Sequence, residues 1–73
     1  MMNVVYWLSP VPDKCETCGT SINNIFYDAK TKIGPWALMC TSCFYIGPGL
    51  GKTGIGLGQK YERQADGKWL KVE

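Results

Sequence analysis

The chain has 73 residues, with eight Lys or Arg, six Asp or Glu and no histidine. A chain of this length forms one domain and buries only about 60% of its unfolded surface, so an apolar core alone leaves it marginally stable. Small domains make up the difference with disulfides or a metal ion, and four cysteines are present. Without histidine the usual general acid–base is missing, and we expect no enzymatic activity.

The N-terminal segment, residues 4–8, is made of β-branched, aromatic and aliphatic residues and predicts a strand. An unpaired strand at the edge of a sheet can pair with another chain, so a homo-oligomer formed through this strand is one expectation. No basic residue precedes the segment, and Pro10 and Pro12 follow it closely. It is too short for a signal peptide or a membrane span, and we expect an intracellular protein that does not bind membranes.

Two Cys-x-x-Cys pairs, Cys15 with Cys18 and Cys40 with Cys43, are separated by 21 residues. Four thiolates in two close pairs can complete a tetrahedral all-cysteine site. Disulfides would require an oxidising compartment, and the sequence shows no route to one. We therefore predict one structural Zn²⁺ bound by all four cysteines, with Gly19 at positive φ in the turn after the first pair.

Iron held by four thiolates, as in rubredoxin-like electron-transfer proteins, is the alternative to zinc. Phe44 stands where the second pair would have its glycine, and indicates either a less regular turn or the start of a short helical turn. This departure and the basic composition favour zinc. One Zn²⁺ and four thiolates together carry two negative charges, which cancel the formal charge of +2. The basic composition is then no argument by itself for nucleic-acid binding.

Between the cysteine pairs, residues 22–28 and 36–39 predict the two strands of a hairpin, with its turn at residues 28–31. This hairpin returns the second cysteine pair beside the first. Phe26 and Trp36 are expected to pack over the metal and exclude water from the sulfurs.

The segment 47–58 contains six glycines, a composition that forms no stable helix. Leu50, Ile55 and Leu57 distinguish it from a solvated linker. We expect an ordered loop or a loose strand that approaches other backbone closely, or a partner surface. Gly51-Lys52-Thr53 does not have the spacing or the α/β context of a phosphate-binding loop.

Residues 59–64 and 69–72 predict a C-terminal hairpin, with an Asp-Gly turn whose two central residues adopt positive φ. Tyr61 and Trp69 are candidates for its buried face. The expected fold is thus a small β-rich, metal-stabilised domain, residues 1–73. In this domain, β-hairpins carry cysteine turns of the zinc-ribbon or rubredoxin-like type. The Gly-rich loop 47–58 and the C-terminal hairpin 59–73 follow them in the chain.

Two stretches resemble a group of small zinc-ribbon proteins encoded by bacteriophages and prophages. The more specific parts are Gly34-Pro35-Trp36-Ala37 before the second cysteine pair and Gly58-Gln59-Lys60-Tyr61-Glu62 after the glycines. The resemblance covers roughly residues 15 to 63. It implies a phage setting and the four cysteines as metal ligands, and no particular activity, because the group is functionally uncharacterised.

Two functions follow as expectations. The first is a protein-interaction module that binds and modulates a host protein, because the chain has more large apolar residues than so small a core requires. The second is nucleic-acid binding, in which cationic side chains of the C-terminal hairpin contact phosphates and its aromatic rings stack on bases. The positive charge is split between the two faces of that hairpin, so this function ranks second. The candidate partner-binding residues are Tyr45, Lys52, Lys60, Tyr61, Arg63, Lys68 and Trp69.

Overall fold

The computed structural model describes residues 4–10 and 12–73. Four strands form one antiparallel sheet in the order β2-β1-β3-β4. The elements in chain order are β1 (Ile25–Lys30), β2 (Trp36–Met39), α1 (Thr41–Tyr45), β3 (Gly58–Arg63) and β4 (Trp69–Lys71). The predicted small β-rich domain is confirmed at this level.

The first hairpin pairs β1 with β2, but its predicted turn at residues 28–31 is wrong. Asp28 and Ala29 lie inside β1, opposite Leu38 and Ala37 of β2. Ala29 is fully buried because its side chain packs directly against the backbone of β3. The turn instead begins at Thr31, whose N–H and hydroxyl both donate to the Pro35 carbonyl at 3.0 and 2.7 Å.

The N-terminal segment forms less than the predicted strand. Residues 4–8 run beside β4 with a single bridge, Tyr6 to Leu70. The Trp7 N–H donates to the Trp69 carbonyl at 2.9 Å, and the Lys71 N–H donates to the Val5 carbonyl at 2.8 Å. The segment therefore covers the outer edge of β4.

Both faces of the sheet are buried, because alternate residues of each strand point to opposite sides. On one face, Tyr27 and Met39 pack with Phe44 of α1. The rings of Tyr27 and Phe44 are stacked, with centroids 3.9 Å apart and planes 7° apart. On the other face, an aromatic cluster of Phe26, Tyr61 and Trp69 is bordered by Trp7.

This two-sided arrangement corrects the prediction that Phe26 and Trp36 cover the metal. Phe26 belongs to the aromatic cluster on the opposite face from α1. Trp36 is exposed, with 46% of its surface accessible. The residues that pack with the cysteines are Tyr27, Met39 and Phe44, because these side chains share the face on which α1 lies.

The glycine-rich stretch is an ordered loop that approaches other backbone closely, as predicted. A Cβ at Gly49 would lie 2.5 Å from the Cα and the carbonyl oxygen of Phe44. A Cβ at Gly58 would lie 2.4 Å from the Cβ of Ala29, and Gly58 also has a φ of 146°. These two positions have no room for a side chain, so the loop can fold back along α1 and enter β3.

The C-terminal hairpin has the predicted arms, and Tyr61 and Trp69 form part of its buried face. Its turn differs, because only Gly67 has positive φ and Asp66 does not. The turn is closed by hydrogen bonds from Gln64 N–H to the Lys68 carbonyl and from Gly67 N–H to the Gln64 carbonyl. Within the described residues, no helix has the length and apolar character needed to cross a membrane.

Candidate metal centre

The four cysteine sulfurs converge at the end of the sheet where β1 begins and β2 ends. All four Sγ atoms lie within 4.8 Å of one another, and Cys18 Sγ is 3.8 Å from Cys40 Sγ. A metal 2.3 Å from each of four tetrahedral sulfurs would separate the sulfurs by about 3.8 Å. The cysteines are free thiols. The arrangement therefore fits a tetrahedral metal site.

The first cysteine pair lies on a tight turn. The Cys15 N–H donates to the Thr20 carbonyl at 2.8 Å, and the Gly19 N–H donates to the Cys15 carbonyl at 2.9 Å. Gly19 has a φ of 78°, which confirms the prediction for this position. Glycine is favoured there because it adopts positive φ without the steric cost that a Cβ imposes.

The second pair lies on the start of α1 and needs no such glycine. Cys40 is the N-cap residue, Cys43 is in the helix, and the Phe44 N–H donates to the Cys40 carbonyl at 3.0 Å. Of the two alternatives for Phe44, the helical turn is the one observed, and it already begins at Thr41. The helical position lets Phe44 point into the core, where a glycine could not pack.

Glu16 links the two cysteine pairs through the backbone of β2. The Glu16 N–H donates to the Leu38 carbonyl at 2.9 Å, and its Oε1 accepts from the Leu38 N–H at 2.7 Å. Glu16 directly follows Cys15, and Leu38 stands two residues before Cys40. These two bonds therefore hold the first turn against the strand that leads into the second pair.

Hydrogen bonds and burial act differently on the individual thiols. For Cys15, burial is the largest effect and opposes ionisation, but hydrogen bonds from Thr17 and from backbone groups outweigh it and lower the pKa to about 6. For Cys18, hydrogen bonding to Thr20 is the largest effect and lowers the pKa. Burial, together with hydrogen bonding of the protonated Cys43 thiol to the other three cysteine sulfurs, raises the pKa of Cys43 to about 12. Thiolates are the form that binds metal, so a bound cation would replace the proton that Cys43 retains.

The two threonines of the first turn were not singled out from the sequence. Thr17 Oγ1 lies 3.4 Å from Cys15 Sγ, and Thr20 Oγ1 lies 3.1 Å from Cys18 Sγ. Each threonine follows its cysteine by two residues, and this repeated spacing was the available signal. Such hydrogen bonds stabilise thiolates and orient them toward a metal.

The site spans the boundary between core and surface. Cys15 is buried beside Tyr27 and Met39, Cys40 and Cys43 are half-buried, and Cys18 is exposed. An ion bound to all four would join the surface turn to the core. Four protein donors complete a tetrahedral shell and leave no position for water.

The hairpin residues predicted to contact a partner are not brought together. Tyr61 and Trp69 are buried in the aromatic cluster, as expected for the inner face of the hairpin, so their rings are not exposed for stacking on bases. Arg63 and Lys68 are exposed near the hairpin turn, whereas Lys60 Nζ pairs with Glu73 at 3.7 Å near the other end of β3. The remaining candidates are both exposed. They are Tyr45 at the end of α1 and Lys52 in the glycine-rich loop.

A surface that the sequence did not indicate lies at the opposite end of the sheet from the cysteines. Here the Lys30 N–H donates to the Leu57 carbonyl at 2.9 Å, and the Lys32 N–H donates to the Pro48 carbonyl at 2.8 Å. These bonds bring the turn after β1 beside both parts of the glycine-rich stretch. We call this surface the isoleucine end. It consists of Lys30, Lys32, Ile33, Lys52 and Ile55.

The isoleucine end is apolar and cationic. Ile33 is 85% exposed, and Ile55 is fully exposed. All three lysines are exposed as well, and residues 29–61 contain no Asp or Glu. Glu73 reaches this region, but its carboxylate already contacts Lys60 and the Thr53 hydroxyl.

Comparisons of the chain with protein-family models, with curated proteins and with solved structures gave no match.

Proposed function

We propose that the chain is a non-enzymatic protein-interaction module, stabilised by one Zn²⁺ on Cys15, Cys18, Cys40 and Cys43. The observation that carries the proposal is the isoleucine end, where two exposed isoleucines stand among three lysines. Exposed apolar clusters on small soluble proteins mark interaction sites.

Zinc has a structural role in this proposal. Four cysteine donors in two close pairs form a closed site of the kind that zinc occupies in structural centres. The cysteines lie near the first residues of β1, whereas the isoleucine end lies beyond its last residue. The six residues of β1 span roughly 20 Å. The ion would thus be remote from a partner bound at the isoleucine end. When bound, it supplies folding free energy.

The expected partner is a protein whose surface combines an apolar groove with acidic residues. The isoleucines provide apolar anchors, and Lys30, Lys32 and Lys52 provide complementary charge around them. Because the sequence resembles zinc-ribbon proteins encoded by phages, we propose that this partner is a bacterial host protein that the module modulates.

The proposal is tested by capture from a bacterial lysate, with and without nuclease treatment, on the immobilised zinc-loaded protein. The test variant is Ile33→Glu/Ile55→Glu, which changes two exposed side chains. The matched control is Asn23→Glu/Ala65→Glu, which adds the same charge at exposed positions near the other end of the sheet. Captured proteins are identified, purified and measured for direct binding by calorimetry.

A protein that binds the wild type and the control equally, and the isoleucine variant at least tenfold more weakly, supports the proposal. Equal binding to all three proteins contradicts it. Retention that disappears with nuclease also contradicts it, and would assign the lysines of this end to nucleic-acid phosphates instead.

A further inference from the structure

The free edge of the N-terminal segment has the geometry of a self-pairing strand. We propose that two copies of the chain associate through residues 4–8 in a symmetric antiparallel dimer, which joins their sheets into one. This inference concerns a different surface from the isoleucine end and does not depend on the proposed function.

The hydrogen bonds to β4 determine which backbone groups of the segment remain available. The Val5 carbonyl and the Trp7 N–H face β4 and bond to it. Backbone groups of successive residues in an extended chain alternate in direction, so the N–H and C=O of Tyr6 face outward. In the described part of the chain, neither group of Tyr6 has a backbone partner. By the same alternation, Val4 and Leu8 also direct their backbone groups outward.

These outward groups are self-complementary about a twofold axis at Tyr6. In an antiparallel pair, opposite residues of the hydrogen-bonded type exchange both N–H···O bonds. Tyr6 would exchange both bonds with Tyr6 of the second copy, and Val4 would lie opposite Leu8. Pairing centred on Tyr6 thus uses every outward backbone group from Val4 to Leu8.

The side chains favour a second copy as the occupant. Val4 and Leu8 share a face with Tyr6 and are 63% and 94% exposed. In the symmetric register each Val4 packs beside a Leu8 of the other copy, so both become buried. Residues 4–8 carry no charge, although exposed strand edges are usually protected by charges, prolines or bulges. Pro10, which has no N–H, limits the pairing to this short segment.

The other edge of the sheet is protected, which leaves the N-terminal edge as the place for pairing. On β2, Leu38 directs its N–H and C=O outward, and both groups are bonded to Glu16. Of the other residues of β2, only Trp36 also directs its backbone N–H and C=O away from β1. Among the residues that the structure describes, an incoming strand would therefore find one residue on β2 with unbonded outward groups, compared with three on the N-terminal segment.

The proposal is tested by the molar mass of the reduced, zinc-loaded protein, measured by light scattering and sedimentation over a range of concentrations. The test variant is Val4→Lys/Leu8→Lys, which places charges at two exposed positions and disturbs no hydrogen bond to β4. Ile55→Lys is the control, because it replaces a fully exposed apolar residue at the isoleucine end. Exchange of the Tyr6 amide proton, followed by NMR, reports on the edge directly.

We expect wild type and Ile55→Lys to reach twice the chain mass of 8.1 kDa, and Val4→Lys/Leu8→Lys to remain at the monomer mass. Exchange of the Tyr6 amide should slow as the wild-type concentration rises. A monomeric wild type at millimolar concentration overturns the proposal. So does a dimer that persists in the double variant, or a Tyr6 amide whose exchange is independent of concentration.

Discussion

Glu16 binds the backbone of Leu38 at two points, through its N–H to the Leu38 carbonyl and through its carboxylate to the Leu38 N–H. The two residues are 22 positions apart. The contact resembles one hydrogen-bonded pair of an antiparallel sheet, in which the Glu16 carboxylate takes the place of the backbone carbonyl of a second strand. It positions the first cysteine pair relative to the second, and it also closes the open edge of β2.

Replacing Glu16 tests this contact. Glu16→Ala removes the carboxylate acceptor, and we expect a loss of about 1 kcal/mol in the free energy of unfolding, since the bond is exposed. Glu16→Gln keeps an acceptor oxygen at the same reach and should lose less than half as much. Hydrogen exchange of the Leu38 amide should accelerate in the alanine variant. An unchanged exchange rate would show that the bond does not protect this edge.

Metal removal should unfold the domain. Structural zinc contributes on the order of 10 kcal/mol to small folds, which is comparable to the whole stability of a domain of this size. We expect one zinc per chain by elemental analysis, and loss of the β-sheet circular dichroism signal when a chelator is added. Refilling with zinc should restore the signal. A spectrum unchanged by complete chelation contradicts a structural role, and a red protein with charge-transfer bands would indicate iron.

The Tyr27–Phe44 stack should be the most sensitive part of the core near the cysteines. Phe44→Ala removes a fully buried ring and is expected to cost about 3 to 5 kcal/mol. It should also weaken metal retention, because Phe44 directly follows Cys43 in α1. The control is Trp36→Ala, an exposed aromatic, with an expected cost below about 1 kcal/mol. Denaturant titrations of the zinc-loaded proteins compare the two, and equal losses would contradict the assignment of the core.

The glycine-rich loop offers a graded steric comparison. A Cβ at Gly49 would lie 2.5 Å from the Phe44 backbone, whereas a Cβ at Gly47 would lie 3.0 Å from Cys43 Cα. Both glycines have φ values outside the left-handed region, so space alone distinguishes them. We expect Gly49→Ala to cost about 3 kcal/mol and Gly47→Ala about 1 kcal/mol. Thermal unfolding of both variants provides the measurement, and the reverse order would exclude close packing of the loop on α1.

The spacing of the cysteines and the composition of the strands determined much of this protein. Two Cys-x-x-Cys pairs predicted four clustered sulfurs, because the pairs are local and the hairpin between them must return. Gly19 at positive φ followed from the same local geometry. The arms of the C-terminal hairpin and the burial of Tyr61 and Trp69 were also predictable, since they depend on alternation along a few residues.

Only the tertiary structure decided which face each aromatic occupies and which surface residues meet. Phe26 and Tyr27 are adjacent in the chain but belong to opposite cores, and the choice depends on where α1 packs. The contact between Glu16 and Leu38 and the approach of the Ile33 turn to the glycine-rich loop join segments that share no local pattern. Local sequence specifies turns and periodicity, whereas contacts between distant segments arise only when the sheet register and the loop paths are set together.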